Sequence, residues 1–215
     1  MNRAMNLFTQ LETEPTYEEV VPGAVLMRGL ALPQDHEFLA AVDAITAAAP
    51  LHHAVTPTGL PMSVMVTDCG DSKAFVRRWD PANPNAQKKM WPPMPRVLRD
   101  FAIRCAVRSG FPRFVPDACH INRYQAGTKL GLHQDRHECD LEQPIVSVSF
   151  GLQCTFLFGG FTKAEKPRHI LLEHGDVFVW GGPSRMRFHG VQPLKPGSHL
   201  LTGPYRINLT FRKIA

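Results

Sequence analysis

The stretch HQDRHECD, residues 133 to 140, places two histidines, three acids and a cysteine within eight positions. Each of these six side chains can ligate a metal ion. His133 and Asp135 are two residues apart, so on an extended chain their side chains point to the same side. A third ligand must come from elsewhere, and His189 in the strand-like run RMRFHGV is the best candidate. Two histidines and one carboxylate that leave other coordination positions open are typical of non-haem Fe(II) oxygenases.

Zinc is the main alternative for this cluster. His133 and His137 have the spacing of a zinc-binding pair on a helix, but Gly131, Pro144 and the alternating neighbours argue against a helix here. The sequence contains no HExxH motif, which is the helical zinc site of metalloproteases. Ligation by Cys139 would stand alone, because no second cysteine is near it. The residues therefore favour an open-sided iron site.

The run YRINLTFR near the end of the chain alternates between apolar and polar residues. Successive strand residues point to opposite faces, so one face is apolar and the other is polar. The polar face carries Arg206, Asn208, Thr210 and Arg212. On base rates this face points to water. If it points into a barrel instead, the two arginines, roughly 20 Å apart along the strand, leave room for a short dicarboxylic acid held by charge-assisted hydrogen bonds.

The surrounding sequence predicts a β-sandwich with helices on one side. Apolar spacing predicts a helix from about Pro33 to Ala49 and a second one within residues 94–112, which Gly110 and Pro112 end. From residue 116 onward, short runs with turns between them predict strands of a jelly roll. These runs are CHINRYQ, IVSVSFGL, TFLFGG, HILLEHGDVFVWGG, RMRFHGV and YRINLTFR. Residues 56–95, rich in proline, glycine and basic residues, predict a binding loop or lid that contributes little to the core.

Composition indicates one globular, cytoplasmic domain. The chain has 215 residues, of which 44% are hydrophobic and 20% charged. It has no run of eighteen apolar residues and no secretory signal at its N-terminus. Its five cysteines are scattered and form no CxxC pair, which favours reduced thiols. The net charge of +5 makes a polyanionic partner plausible.

The order of the candidate residues is far more specific than any one of them alone. The HxD pair of His133 and Asp135 is followed some fifty residues later by His189, and Arg206 comes seventeen residues after that. With DACHINRYQAGTKLGLHQDRHE, PIVSVSFGL and LLEHGDVFVWGGPSRMRFHGVQPL, this order resembles the AlkB family of Fe(II)/2-oxoglutarate-dependent dioxygenases, and its bacterial DNA-repair demethylases in particular. The resemblance covers about residues 22 to 213. It implies an α+β fold with a double-stranded β-helix core, supporting helices and an N-terminal nucleotide-recognition lid. Within a single structural domain, we expect a flexible N-terminus (1–20), a helix and lid (21–95) and the dioxygenase core (96–214).

The resemblance also implies residue roles. His133, Asp135 and His189 would hold Fe(II), while Arg206 would pair with the distal carboxylate of 2-oxoglutarate and Arg212 would serve its other end. Asn122, Tyr124 and Asn208 would add hydrogen bonds to this cosubstrate; for the two asparagines, ordinary strand hydrogen bonding is the alternative. Expected substrate contacts are Thr56, Met62, Ser63, Phe75, Trp79, His137 and Lys163.

The implied reaction is the oxidative demethylation of N-alkylated bases such as 1-methyladenine and 3-methylcytosine. It consumes O2 and 2-oxoglutarate, releases formaldehyde, succinate and CO2, and is helped in vitro by ascorbate. The expected substrate is alkylated single-stranded DNA, with duplex DNA and RNA as further candidates, and the expected protein is a monomer that does not bind membranes. Three departures from the family bear on base preference: His137 replaces an acid, Lys163 replaces an arginine, and the stretch from Cys69 to Trp91 is shorter.

Two other functions remain open from the sequence. One is a 2-oxoglutarate dioxygenase that acts on a protein or a small molecule, against which the basic, aromatic segment 56–95 argues. The other is a non-catalytic nucleic-acid-binding sandwich, against which the complete set of ligand and clamp residues argues.

Overall fold

The structure is a computed structural model and describes residues 16–55, 61–71, 91–136 and 138–215. In this part of the chain, two antiparallel sheets face each other across a cavity. The strands are β1 (Tyr17–Val21), β2 (Ala24–Met27), β3 (His52–Val55), β4 (Pro61–Gly70), β5 (Ala118–Tyr124), β6 (Leu130–His133), β7 (Ile145–Gly151), β8 (Cys154–Phe158), β9 (Arg168–Leu172), β10 (Val177–Trp180), β11 (His189–Val191) and β12 (Arg206–Arg212). The helices are α1 (Asp35–Ala48) and α2 (Arg96–Arg108), with short 3-10 helices at Leu32–Gln34 and Gly182–Ser184.

The larger sheet has eight strands in the order β1-β2-β10-β7-β12-β5-β4-β3, and the smaller has four in the order β6-β11-β8-β9. Strand β12 therefore lies near the centre of the large sheet, hydrogen-bonded to β5 on one side and to β7 on the other. This is the double-stranded β-helix that the sequence predicted. The large sheet takes strands from both sides of residue 96, and the division of the chain at that residue stays a prediction.

Both predicted helices are confirmed, and both pack on the face of the large sheet that lies away from the cavity. Phe38 of α1 sits between Phe101 of α2 and Phe150 of β7, with ring centroids 4.8 Å and 6.0 Å apart. Helix α2 ends at Arg108 with Ser109 as its C-cap, and Gly110 follows with a φ of +87°, the left-handed conformation that glycine adopts after a helix. The apolar residues of β7 and β12 face this helical layer, so the polar residues of the same strands must face the cavity.

The prediction that residues 56–95 add little to the core was wrong for residues 61–70. These residues form β4, which pairs with β5 from Met65 opposite Arg123 to Gly70 opposite Ala118. Val64 and Val66 on this strand are buried. Prolines and glycines at both ends of the segment obscured its alternation, and the partner strand that completes its hydrogen bonding lies some fifty residues away in sequence.

The run RMRFHGV was also shorter as a strand than expected, since β11 comprises only its last three residues. Within the described residues, neither α1 nor α2 is long and apolar enough to cross a bilayer.

Candidate metal centre and cavity

The three predicted metal ligands come together on the small sheet. His133 ends β6 and is the direct cross-strand partner of His189, the first residue of β11. Asp135 follows β6 by two residues and is 8% exposed. One ligand atom from each residue lies within 4.8 Å of the other two. Asp135 Oδ1 is 3.9 Å from His133 Nε2, and Asp135 Oδ2 is 3.6 Å from His189 Nε2.

Backbone carbonyls orient both imidazoles. His133 Nδ1 lies 2.9 Å from the carbonyl oxygen of Gly131, and His189 Nδ1 lies 3.2 Å from that of Arg187. A carbonyl can only accept, so Nδ1 must carry the hydrogen on each ring. The lone pair is then on Nε2, the atom that points to Asp135, which is the tautomer that a metal-binding histidine requires.

The charges in the site favour the protonation states of metal ligands. Burial opposes ionisation of Asp135, but Arg212 and His189 outweigh it and hold the pKa of this carboxyl well below its usual range. Burial, followed by the neighbouring His189, lowers the pKa of His133 despite the attraction of Asp135. An ionised carboxylate and a neutral imidazole are the forms that bind a divalent cation.

Two arginines and a glutamate hold Asp135 and its loop in place. Arg212 Nη2 lies 3.1 Å from Asp135 Oδ2, at ion-pair distance but without the angles of a hydrogen bond. Glu138 lies between Arg212, at 3.3 Å, and Arg185, at 3.2 Å, and its side chain is 4% exposed. Arg185 also donates to the backbone carbonyl of Asp135 at 2.6 Å. This network fixes the loop that carries the carboxylate ligand.

Beside the metal ligands lies a cavity of about 540 Å³ between the two sheets. The polar face of β12 forms one wall, so the clamp arginines point inward rather than to water. Arg206 is 1% exposed and lies over the ring of Tyr124, with 5.0 Å between its guanidinium carbon and the ring centroid. It donates from Nη2 to Ser149 Oγ at 3.0 Å, while its Nε and Nη1 have no partner among the described residues.

The other predicted cosubstrate residues line the same cavity. Asn122 and Asn208 are register partners on β5 and β12. The amide nitrogen of Asn208 donates to Ser147 Oγ at 2.8 Å, and its carbonyl oxygen accepts from Thr210 Oγ1 at 3.0 Å. Burial raises the pKa of Tyr124 to about 12, so its phenol is neutral and can donate. Asn208 thus already has strand partners, whereas the roles of all five residues toward a cosubstrate stay predictions.

The donor set fits Fe(II) and a dicarboxylic acid. The two imidazole nitrogens and one carboxylate form an open-sided nitrogen and oxygen site. A buried cation with two unmade hydrogen bonds at the far end of the cavity calls for an anion, because an unpaired buried charge is costly. Trp180 Nε1, which is buried and also without a partner in the described chain, adds another donor to the cavity wall.

The predicted substrate contacts are less concentrated. Met62 lines the cavity. Ser63 instead donates to the backbone carbonyl of Lys129 at 3.3 Å, and Lys163 lies 5.8 Å from the ring centroid of Phe188. Four predicted contacts lie outside the described residues: Thr56, Phe75, Trp79 and His137.

Sequence reasoning missed several residues of this site. The sequence assigned no role to Glu138, whose carboxylate joins Arg185 and Arg212, and none to Arg185 or Trp180. Their partners are distant in the sequence, with Arg185 forty-seven positions after Glu138. For Arg185 the available signal was its position after the glycine-rich turn WGGPS, whereas Glu138 lies in a run of polar residues and gave no signal.

Comparison with known proteins agrees with this geometry. Residues 23–212 match the 2OG-Fe(II) oxygenase superfamily. The chain is 44% identical over 206 residues to the alpha-ketoglutarate-dependent dioxygenase AlkB of Escherichia coli, covering 94% of this chain and 95% of that protein. It is 43% identical over 114 residues to the DNA N(6)-methyladenine demethylase ALKBH1D of Arabidopsis thaliana, covering 47% of this chain and 25% of that protein. The solved structure of OsALKBH1 superposes with a TM-score of 0.77 at 27% identity, covering 92% of this chain and 100% of that one.

Proposed function

This chain belongs to the 2OG-Fe(II) oxygenase superfamily and, within it, to the AlkB family, and on that premise we propose that it demethylates N-alkylated bases in nucleic acid. The observation that carries the proposal is that the metal-ligand triad lies at a cavity whose far end holds the buried guanidinium of Arg206, with Nε and Nη1 lacking hydrogen-bond partners in the described chain. The similarity to AlkB of E. coli and to a DNA demethylase of A. thaliana supports nucleic acid as the substrate.

Iron bound by the triad would supply, with 2-oxoglutarate and O2, the oxidation of the substrate's N-methyl group and the release of formaldehyde, succinate and CO2. The chain's own residues position the reactants. Arg206 and the phenol of Tyr124 would bind the distal carboxylate of 2-oxoglutarate, and Arg212 would bind its other end. Asn122 and Asn208 lie between them on the same wall.

Aromatic side chains cover part of the cavity wall next to the metal ligands. The aromatic side chains of Phe156 and Trp180 line it next to His189, at ring-centroid distances of 6.0 Å and 5.0 Å from that imidazole. Apolar walls strengthen the charge interactions of the triad and protect reactive species from side reactions.

Several finer features belong to the same proposal. We expect single-stranded DNA as the preferred substrate, since a flipped or unstacked base enters such a cavity at the lowest cost, with duplex DNA and RNA as weaker substrates. The net charge of +5 favours a polyanion. The five cysteines form no disulfide, which favours a cytoplasmic protein, and we expect it to act as a monomer.

The test is mass spectrometry of a short single-stranded oligonucleotide that bears one 1-methyladenine. The protein is supplied with Fe(II), 2-oxoglutarate, ascorbate and air, beside an Asp135→Ala control. Loss of one methyl group that depends on both 2-oxoglutarate and Asp135 is the expected result. Succinate formation with unchanged oligonucleotides of every type, DNA and RNA, would refute the nucleic-acid substrate while keeping the dioxygenase. A folded, iron-loaded protein that forms no succinate would refute both.

A further inference from the structure

The cavity wall carries a polar pair of side chains to which the proposed function assigns no role. Asp68 on β4 and His120 on β5 are register partners, and His120 Nδ1 lies 2.7 Å from Asp68 Oδ1. His120 lines the cavity. Its side chain is 17% exposed and that of Asp68 is 14% exposed, so the pair stands where the cavity is more open than at Arg206.

Register places this pair at the metal end of the cavity. Tyr124 is opposite Arg206, whereas His120 is opposite Thr210, roughly 13 Å further along the strands. Arg212 is the next residue after Thr210 on the same face of β12, and it contacts Asp135 at 3.1 Å. His120 thus lies near the metal ligands and away from the proposed distal carboxylate site.

The carboxylate of Asp68 determines what His120 presents to the cavity. An ionised carboxylate only accepts, so Nδ1 of His120 carries the hydrogen. In the neutral imidazole, Nε2 then has a lone pair and acts as an acceptor. Among the described residues, this atom has no hydrogen-bond partner. In this neutral form the pair presents an oriented acceptor on the cavity wall, at the end where Arg212 contacts Asp135.

A hydrogen-bond acceptor at this position fits the amino group of a base better than it fits 2-oxoglutarate or a second metal ion. A carboxylate of 2-oxoglutarate would face a lone pair and gain nothing. A second metal ion is not favoured either, since the described residues contain one cluster of three metal-ligating side chains, and His120 is outside it. In 1-methyladenine and 3-methylcytosine, an exocyclic amino group is next to the methylated nitrogen. In 3-methylthymine, a carbonyl oxygen takes that place.

We propose that His120, oriented by Asp68, is a specificity-determining residue that accepts a hydrogen bond from the exocyclic amino group of the methylated base. This inference rests on the proposed function and assigns the selection of bases with an amino group beside the methylated nitrogen to a residue of this chain. A site that places an acceptor against a carbonyl oxygen leaves both groups unpaired, which disfavours 3-methylthymine.

The experiment compares kcat/KM for single-stranded oligonucleotides that contain either 1-methyladenine or 3-methylthymine. The wild-type protein should favour 1-methyladenine. In His120→Leu the ratio of the two values should fall about tenfold, the effect of one lost hydrogen bond. His120→Gln, whose side-chain carbonyl can accept, should recover part of the ratio. His169→Leu, an exposed histidine on β9, is the matched control and should leave the ratio unchanged.

Asp68→Asn provides an independent variant. Asparagine can donate as well as accept, so the tautomer of His120 is no longer determined. The expected result is a lower ratio, with a gain for 3-methylthymine because Nε2 can then donate to its carbonyl.

If His120 has a purely structural role, its replacement should change kcat/KM for both substrates by the same factor and leave their ratio unchanged. A ratio within twofold of wild type in both His120→Leu and Asp68→Asn would overturn the inference, and so would a wild-type protein without base preference. In these two outcomes the demethylase function stands. A wild-type protein that demethylates neither base refutes the proposed function itself, and the inference with it.

Discussion

Replacing Arg206 by methionine separates the stability of the protein from its ability to bind a dicarboxylic acid. Without a ligand, Arg206 is a buried cation whose Nε and Nη1 have no partner in the described chain. Each unmade buried donor costs about 1–3 kcal/mol. Methionine retains most of the apolar stem and loses the bond to Ser149 and the contact with Tyr124, roughly 1 kcal/mol each. The ligand-free variant should therefore unfold at the same temperature as wild type or several degrees higher.

The order should reverse when 2-oxoglutarate is present. A ligand at a hundredfold excess over its Kd stabilises the folded state by about 2.7 kcal/mol. For a chain of this size this corresponds to a rise in Tm of roughly 5–11 °C. The Arg206→Met variant should lose most of this rise, because the cation that binds the distal carboxylate is absent.

The assay is thermal unfolding with Mn(II) in place of Fe(II), with and without 2-oxoglutarate. Arg168→Met, an exposed arginine on β9, is the matched control and should keep the full rise. If Arg206→Met shows the same rise as the control, then Arg206 does not bind the acid. If the ligand-free Arg206→Met variant unfolds at a much lower temperature than wild type, then the two nitrogens of Arg206 that lack hydrogen-bond partners do not destabilise the fold.

Four further predictions concern the metal centre and the thiols. Asp135→Ala should abolish Mn(II) binding measured by electron paramagnetic resonance while the protein remains folded, and retention of wild-type affinity would contradict the assigned ligand set. Glu138→Ala leaves the buried Arg185 and the partly buried Arg212 without their shared carboxylate and should lower the free energy of unfolding in urea by about 3–5 kcal/mol; a loss below 1 kcal/mol would show that the network is not stabilising. In the native protein at pH 8, a thiol reagent should label Cys139, the exposed cysteine, well before the four buried ones, which become available on denaturation. Burial raises the pKa of Cys105 from 9.0 to about 12, so between these pH values the unfolded thiol loses a proton that the folded one keeps, and the free energy of unfolding should fall as pH rises.

The metal ligands were predictable because short-range geometry determines which of the clustered residues face the same way. The two-residue spacing of His133 and Asp135 sufficed to propose a shared ion, and ordering along the chain indicated His189. The helices were predictable for a similar reason, since Phe38, Val42 and Ile45 are spaced for one helix face and Gly110 directly follows the C-cap of the second helix.

The orientation of β12 was not predictable from its alternation. A period of two residues separates Arg206 and Arg212 from the apolar set but does not decide which set faces the protein interior. Both sets are inside here, because β12 is a central strand covered by helices on one face and by the small sheet on the other. That arrangement depends on pairing with β5 and β7 over long sequence distances.

The sequence by itself determined the types of side chain, the spacing of the ligands and the two faces of each strand, since these depend on local backbone geometry. Only the tertiary structure decided that Glu138 contacts both Arg185 and Arg212 and that Asp68 contacts His120 on the wall of the cavity. Those contacts bring together residues that are distant in sequence. These contacts form only when strand register and the packing of the two sheets bring the side chains within hydrogen-bond distance.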